Sequence, residues 1–292
     1  MPNAIGSYKL GEKIGEGGMG AVFRCKSTQE DQPEEYAIKL LPVANLITEK
    51  QRRDFLQECK ALESVQHPHV LELHDYGIED GVPFLVTELC TERAGEPFSL
   101  ATIMNRRADR AMETHVLNRI FPQVIWALAF IHQRGMVHGD IKPENVLVQE
   151  NNIGQLSAKL GDFGLASVTA DPDYICRPLW AENEPQGGPA NKTYFSGTYD
   201  YMSPEQLNSQ PLDARSDVYS FGVMLYRAAT GYDRVTFRKP SQIVEELPDW
   251  VDRVVSKTIV EDKEIRCENS LEMLFLLPEN LRPAGVERSH AY

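Results

Sequence analysis

Between residues 8 and 90 the apolar positions come in short alternating bursts. "YKLGEKIG", "AVFRCKS", "EYAIKLL", "VLELHDYG" and "PFLVTEL" each read as a strand, because successive side chains of an extended chain point to opposite faces. One stretch, 51–65, spaces its apolar residues as a helix does, so the pattern predicts a small sheet carrying a single helix. Past Leu100 the period lengthens. Val116, Ile120, Val124, Leu128 and Ile131 recur every three or four residues and mark one helix face, with Gly135 placed to close it. Pro122 falls inside this pattern and predicts an irregular first turn. Further helices are expected over 216–230, ended by Gly231, over 248–259 and over 270–277. Stretches 91–97 and 171–192 read as loops, and from 278 onward the lack of periodicity predicts a surface tail. There is no internal repeat.

Composition narrows the picture. Of the 292 residues, 42% are hydrophobic and 25% charged, which is ordinary for a globular chain and argues against disorder. The longest apolar run, "VIWALAFI", is far short of the roughly 18 residues that cross a bilayer, and the opening residues lack a basic region followed by an apolar core. A soluble, unexported, cytoplasmic chain is expected. Five scattered cysteines with no CxxC spacing fit a reducing compartment and no structural zinc. A formal charge of −13 argues against nucleic acid or anionic membrane as the main partner, since a phosphate backbone is bound by neutralising cations. Basic peptide segments suit this charge better.

Three motifs carry chemistry. "IGEGGMGAV" lies between two strand patterns, and Gly15, Gly17 and Gly20 would let a hairpin bring backbone N–H groups close to a polyanion. A strand follows where a dinucleotide fold needs a helix, so that fold is disfavoured, and there is no GxxxxGK[ST] match. "YAIKL" next sets Lys39 in an alternating apolar strand, where its charge is costly unless paired. Glu58, on the following helix pattern, has the right sign. "VHGDIKPENVL" and "KLGDFGLAS" then supply Asp140, Lys142, Asn145 and Asp162. Asn145 and Asp162 make a hard, oxygen-rich pair suited to Mg²⁺, and Asp140 is left to orient or deprotonate a nucleophile.

Taken in order, these stretches resemble a eukaryotic-type protein kinase domain of the serine/threonine branch. GxGxxGxV, AIK, a helix glutamate, HxDxKPEN, DFG, SPE and DVYSFGV follow in the family's sequence. The resemblance implies an α+β bilobal fold over 8–277, with a small antiparallel N-lobe (8–90), a larger helical C-lobe (91–277) and a tail over 278–292. It also implies transfer of the γ-phosphoryl group of ATP to Ser or Thr hydroxyls of proteins, with Mg²⁺ as the metal and Mn²⁺ as an alternative. On this likeness Ile14, Gly15, Glu16, Gly17, Gly18, Met19, Gly20 and Val22 cover the phosphates. Lys39, oriented by Glu58, holds the α- and β-phosphates. Ala37 and Leu147 sandwich adenine with Val22, Thr87 is the gatekeeper, and the backbone of Glu88 and Cys90 meets the base. Asp140 serves the acceptor hydroxyl, Lys142 meets the γ-phosphate, Thr198 bonds Asp140, and Asn145 and Asp162 hold the metal. The resemblance further implies that Asp217 anchors the loop carrying His138 to Asp140, and that Glu205 pairs with Arg266.

The chain departs from the family pattern in three places. Ser203 stands where alanine is usual before Pro204 and Glu205. The segment from Asp162 to Glu205 is long. Gly139 stands where many relatives carry the arginine that meets an activation-segment phosphate, and Ser167 stands where they often carry a second cation. The expectation is a working kinase whose activity is not gated by one loop phosphate. Two other readings are a pseudokinase that binds nucleotide or protein, and a small-molecule kinase. Lys39, Asp140, Asn145 and Asp162 argue against the first, and "GTYDYMSPE" argues against the second.

Overall fold

A computed structural model describes residues 3–17, 20–29, 34–41, 49–106, 111–162 and 199–284. The N-terminal part is one antiparallel sheet. Its strands are β1 (Ala4–Ile5), β2 (Tyr8–Gly17), β3 (Gly20–Ser27), β4 (Glu35–Leu40), β5 (Leu73–Glu79) and β6 (Val82–Glu88), in the order β1-β2-β3-β4-β6-β5. The alternation read from the sequence sorts the side chains. Ile5, Tyr8, Phe23, Tyr36, Ile38, Phe84 and Val86 form one buried cluster, and α1 (Glu49–Glu63) packs Phe55 and Cys59 into another with Leu73, Ile78 and Leu85. The run that opens at Val70 begins before its strand, because Val70 bridges to Leu160 and Leu71 N donates to Leu160 O at 2.9 Å.

The helical part holds α2 (Leu100–Asn105), α3 (Thr114–His132), α4 (Pro204–Leu207), α5 (Ala214–Thr230), α6 (Asp249–Thr258) and α7 (Ser270–Leu276), with a hairpin of β7 (Val146–Glu150) and β8 (Leu156–Leu160) against α3. The largest core centres on α3 and α5, whose apolar faces bury Leu117, Ile120, Val124, Leu128, Phe221 and Leu225. Pro122 does not disturb the first turn. Helix α3 starts earlier than the apolar stripe suggested, so Pro122 lies in its middle, buried, and the helix runs unbroken through it. Gly135 closes α3 as expected, with Met136 N on Ile131 O at 3.1 Å and Gly135 N on His132 O at 3.0 Å. Gly231 caps α5 in the left-handed conformation.

Beyond α7 the chain stays attached. Residues 279–281 make a 3₁₀ turn, and the Arg282 guanidinium donates to Leu277 O at 2.8 Å. Among the described residues no helix is long and apolar enough to cross a membrane.

Candidate active site

The sheet register assembles one side of the site. Val22 lies opposite Lys39, Lys39 opposite Leu85, and Ala37 opposite Thr87. Directly opposed residues share a face, as do residues two apart on a strand, so Val22, Ala37, Lys39 and Thr87 line the same face. The hairpin of β2 and β3 brings Gly17 opposite Gly20 and Gly15 opposite Val22 beside it, while Gly18 and Met19 lie outside the described residues.

From this face Lys39 crosses to the helical lobe and makes an ion pair with Asp162. The sequence offered Glu58 as the partner of this lysine. Glu58 stands on α1, its side chain outside the described residues, and the carboxylate that meets Lys39 comes from 123 residues downstream. Burial would raise the Asp162 carboxyl, yet the charge and hydrogen bond of Lys39, with Lys142 and His138 nearby, hold it below the usual aspartate range.

At the strand that leads out of the sheet, side chains are taken up structurally. The Glu88 carboxylate accepts from Lys159 Nζ at 2.6 Å and from Glu72 N at 2.9 Å. The Thr87 hydroxyl donates to Glu88 O at 3.2 Å, and burial pushes the Cys90 thiol up to about 12. The following turn is fastened on two sides. Arg24 of β3 donates to Gly95 O at 2.8 Å while holding Glu12 and Glu35, and Gln149 of β7 accepts from Thr91 N at 3.1 Å.

The opposite wall is the loop 138–145. Asp217, in the first turn of α5, accepts from His138 N at 2.7 Å, from Gly139 N at 2.8 Å and from His132 Nε2 at 3.0 Å. Burial pushes this carboxyl up, but the bond and charge of His132, then His138 and the Gly139 N–H, pull it below the ordinary value. His138 acts as a relay: Nε2 donates to Gly161 O at 3.0 Å, which leaves Nδ1 to accept from Asp140 N at 3.3 Å. Asp140 Oδ2 in turn accepts from Lys142 Nζ at 2.7 Å and from Asn145 Nδ2 at 3.0 Å.

The backbone ties the residue before Asp162 to Asn145, where Gly161 N donates to Asn145 O at 2.9 Å. Because Asn145 Nδ2 is spent on Asp140, its amide oxygen is the end that remains for a cation beside the Asp162 carboxylate. Two hard oxygens fit a Mg²⁺-like ion that completes its shell with phosphate oxygens and water. Among the described residues there is no group of three or more His, Cys, Asp or Glu that could hold a metal ion.

Gly139 has φ +74°, and a Cβ placed on it would meet no atom within 4 Å. Its carbonyl accepts from Gln206 Nε2 at 2.7 Å. Sequence reasoning missed Gln206 altogether, although "SPEQ" carries the signal of a helix start closed by a polar side chain. Thr198, Phe163, Gly164, Ser167, Thr193 and Ser196 lie outside the described residues.

The family model described as "Protein kinase domain" matches residues 8–284. The chain belongs to the protein kinase family. Its relatives include serine/threonine-protein kinase pkn3 of Myxococcus xanthus, 35% identical over 227 residues, which cover 77% of this chain and 38% of that protein. A probable serine/threonine-protein kinase of Clostridium acetobutylicum is 28% identical over 282 residues, covering 91% of this chain and 39% of that protein. The kinase domain thus spans about two fifths of the length of these curated relatives. The solved kinase domain of Mycobacterium tuberculosis PknI has the same fold, with a TM-score of 0.66 at 23% identity over 92% of this chain and 94% of that one. The bilobal architecture expected from the motifs is the one observed, and the chain carries an ATP-dependent serine/threonine protein kinase domain, of a family that generally uses ATP with a divalent metal and phosphorylates proteins.

Proposed function

We propose that Asp140 is the group around which this kinase transfers the γ-phosphoryl of MgATP to a serine or threonine hydroxyl. The observation that carries the assignment is the fixed Asp140 carboxylate, held by Lys142 and Asn145 on one oxygen, together with the separate Lys39–Asp162 ion pair. Asp140 aligns the acceptor hydroxyl and takes its proton as the new O–P bond forms and the bond joining the γ-phosphorus to the β-phosphate breaks, releasing ADP. Lys142 offsets negative charge at the γ-phosphate, and Lys39, oriented by Glu58, holds the α- and β-phosphates under the backbone of residues 14–20. Asn145 and Asp162 would hold Mg²⁺, with Mn²⁺ as the alternative, and the ion would supply charge neutralisation at the phosphates. Val22, Ala37 and Leu147 enclose adenine, with Thr87 as gatekeeper and the backbone of Glu88 and Cys90 as its polar contacts. Thr198 helps receive the acceptor.

Positioning and charge neutralisation supply the rate, since phosphoryl transfer asks little covalent chemistry of the protein. The net charge of −13 supports substrates with basic segments.

The test is transfer of labelled phosphate to a basic protein, followed by phosphoamino-acid analysis. Asp140→Asn is expected to lower turnover by about 10²–10⁴-fold, the usual worth of a positioned proton acceptor, with label on Ser and Thr in the unaltered chain. Undiminished transfer by Asp140→Asn would remove Asp140 from the centre. An unaltered chain inactive with both Mg²⁺ and Mn²⁺ would favour a nucleotide- or protein-binding module.

A further inference from the structure

Two departures from the family pattern, Gly139 and Ser203, meet at one side chain. Gln206 is the third residue of α4, and Ser203 is its N-cap. Ser203 Oγ accepts from Gln206 N at 3.4 Å, and Gln206 Oε1 accepts from Ser203 N at 2.9 Å, closing a capping box. That uses only the oxygen of the Gln206 amide. Its nitrogen reaches 67 residues back along the chain to Gly139 O, at 2.7 Å. A helix cap does not call for this second bond. Glutamate closes such a box as well as glutamine does, and it has no donor to give.

The peptide that Gln206 holds is the one leading into Asp140. Gly139 N is bound to Asp217, Gly139 O to Gln206, and Asp140 N to His138. The backbone on the N-terminal side of Asp140 is therefore fixed on both faces, by α5 on one and by the start of α4 on the other. Where relatives place an arginine that answers a phosphate, this chain has a glycine whose carbonyl answers a neutral amide. Such a bond needs no phosphate to form.

We propose that Gln206 is a positioning residue for phosphoryl transfer, which ties the Asp140 loop to the start of α4 and aligns Asp140 in the unphosphorylated chain. This rests on Asp140 serving the acceptor hydroxyl. Misplacing a catalytic group by about 1 Å costs on the order of 10²-fold in rate.

The discriminating variant is Gln206→Glu, which keeps the size and the capping box and turns the donor into an acceptor opposed to Gly139 O. In the phosphatase-treated full chain it is expected to lose at least about tenfold in kcat, with KM for ATP within about twofold and the thermal midpoint nearly unchanged. Amide exchange at Gly139 and Asp140 should quicken. A kcat within about threefold of the unaltered chain with exchange unchanged would overturn the proposal, as would a rise in KM with kcat preserved. If the new carboxylate disrupts folding, Gln206→Met decides, because it removes the donor without repulsion: slowed turnover and faster exchange support the tie, and unaltered values of both refute it. Should the unaltered chain show no transfer, the reading of Asp140 fails by itself, and the exchange rates still report on the tie.

Discussion

Gly139 sits at φ +74°, a region that an L side chain enters at a cost of roughly 1–2 kcal/mol. What the sequence displays at this position is a missing charge. It cannot display the backbone angle, nor the carbonyl turned toward Gln206, because both depend on elements far along the chain. The four residues proposed for the chemistry stand out for the opposite reason: Asp140, Lys142, Asn145 and Asp162 are polar residues in tight local patterns. His67 shows a different limit. In the sequence it is one histidine of "HPH". In the structure its ring centre lies 4.6 Å from that of Trp126, edge-on, and 4.7 Å from that of Phe130, both on α3, and its Nε2 is buried without a hydrogen-bond partner among the described residues. Burial, helped by His69 and Arg134, pushes its pKa from 6.5 down to about 4. The unfolded chain therefore binds a proton between these values that the folded chain refuses. Its contribution to stability is complete above pH 6.5, falls as the pH drops, and is lost near pH 4. Urea unfolding across this range should show a shallower decline for His67→Phe than for the unaltered chain. Parallel curves would exclude His67 as a source of the slope.

Elements with a long period or a strong terminator were readable in advance. Helices α1, α3, α5, α6 and α7 all stand where apolar spacing placed them, within a turn at their ends. Helix α4, four residues long, and β1, two residues long, were not, since neither is long enough to show a period. Their existence rests on tertiary contacts. For α4 the main one is Glu205, buried with Arg266 in a paired contact of 2.7 and 3.1 Å, with Ser216 Oγ on the same carboxylate at 2.8 Å. Burial raises this carboxyl, but Arg266 overrides it and holds the group below its ordinary 4.5. The resemblance named the pair, and the structure adds why it is rigid: Arg266 also donates to the carbonyls of Val260, Arg215 and Glu261. Arg266→Met leaves a buried carboxylate with its main partner gone, so a loss of about 3–5 kcal/mol is expected in urea unfolding at pH 7. A loss below about 1 kcal/mol would mean that Glu205 is solvated or protonated at little cost.

Over the whole molecule, the two lobes are joined by the Val70–Leu160 backbone pairing, by His67 packed on α3, and by polar bridges from Lys39 to Asp162, Lys159 to Glu88 and Arg24 to Gly95. Sequence periodicity is silent about such contacts, since each links residues with no repeating relation. The same bridges bear on regulation. With Gly139 bound to Asp217 and Gln206, the loop carrying Asp140 is held by neutral and acidic partners rather than by a cation awaiting a phosphate. Alanine at Thr193 and Ser196, with Thr198 kept, should therefore leave phosphoryl transfer within about threefold of the unaltered chain. A collapse of activity that glutamate at either position restores would show that a loop phosphate is the gate after all.

The turn between β6 and α2 has a further consequence. Surface connections usually take extra residues at small entropic cost, about 0.6 kcal/mol for each doubling of length. This turn is pinned by Arg24 from the sheet and by Gln149 from the hairpin below it, with Arg106 of the α2 end on Glu92 at 2.7 Å. An added residue would have to come away from one lobe or the other. A segment whose composition advertises tolerance to insertion thus has its length set by the spacing of the two lobes.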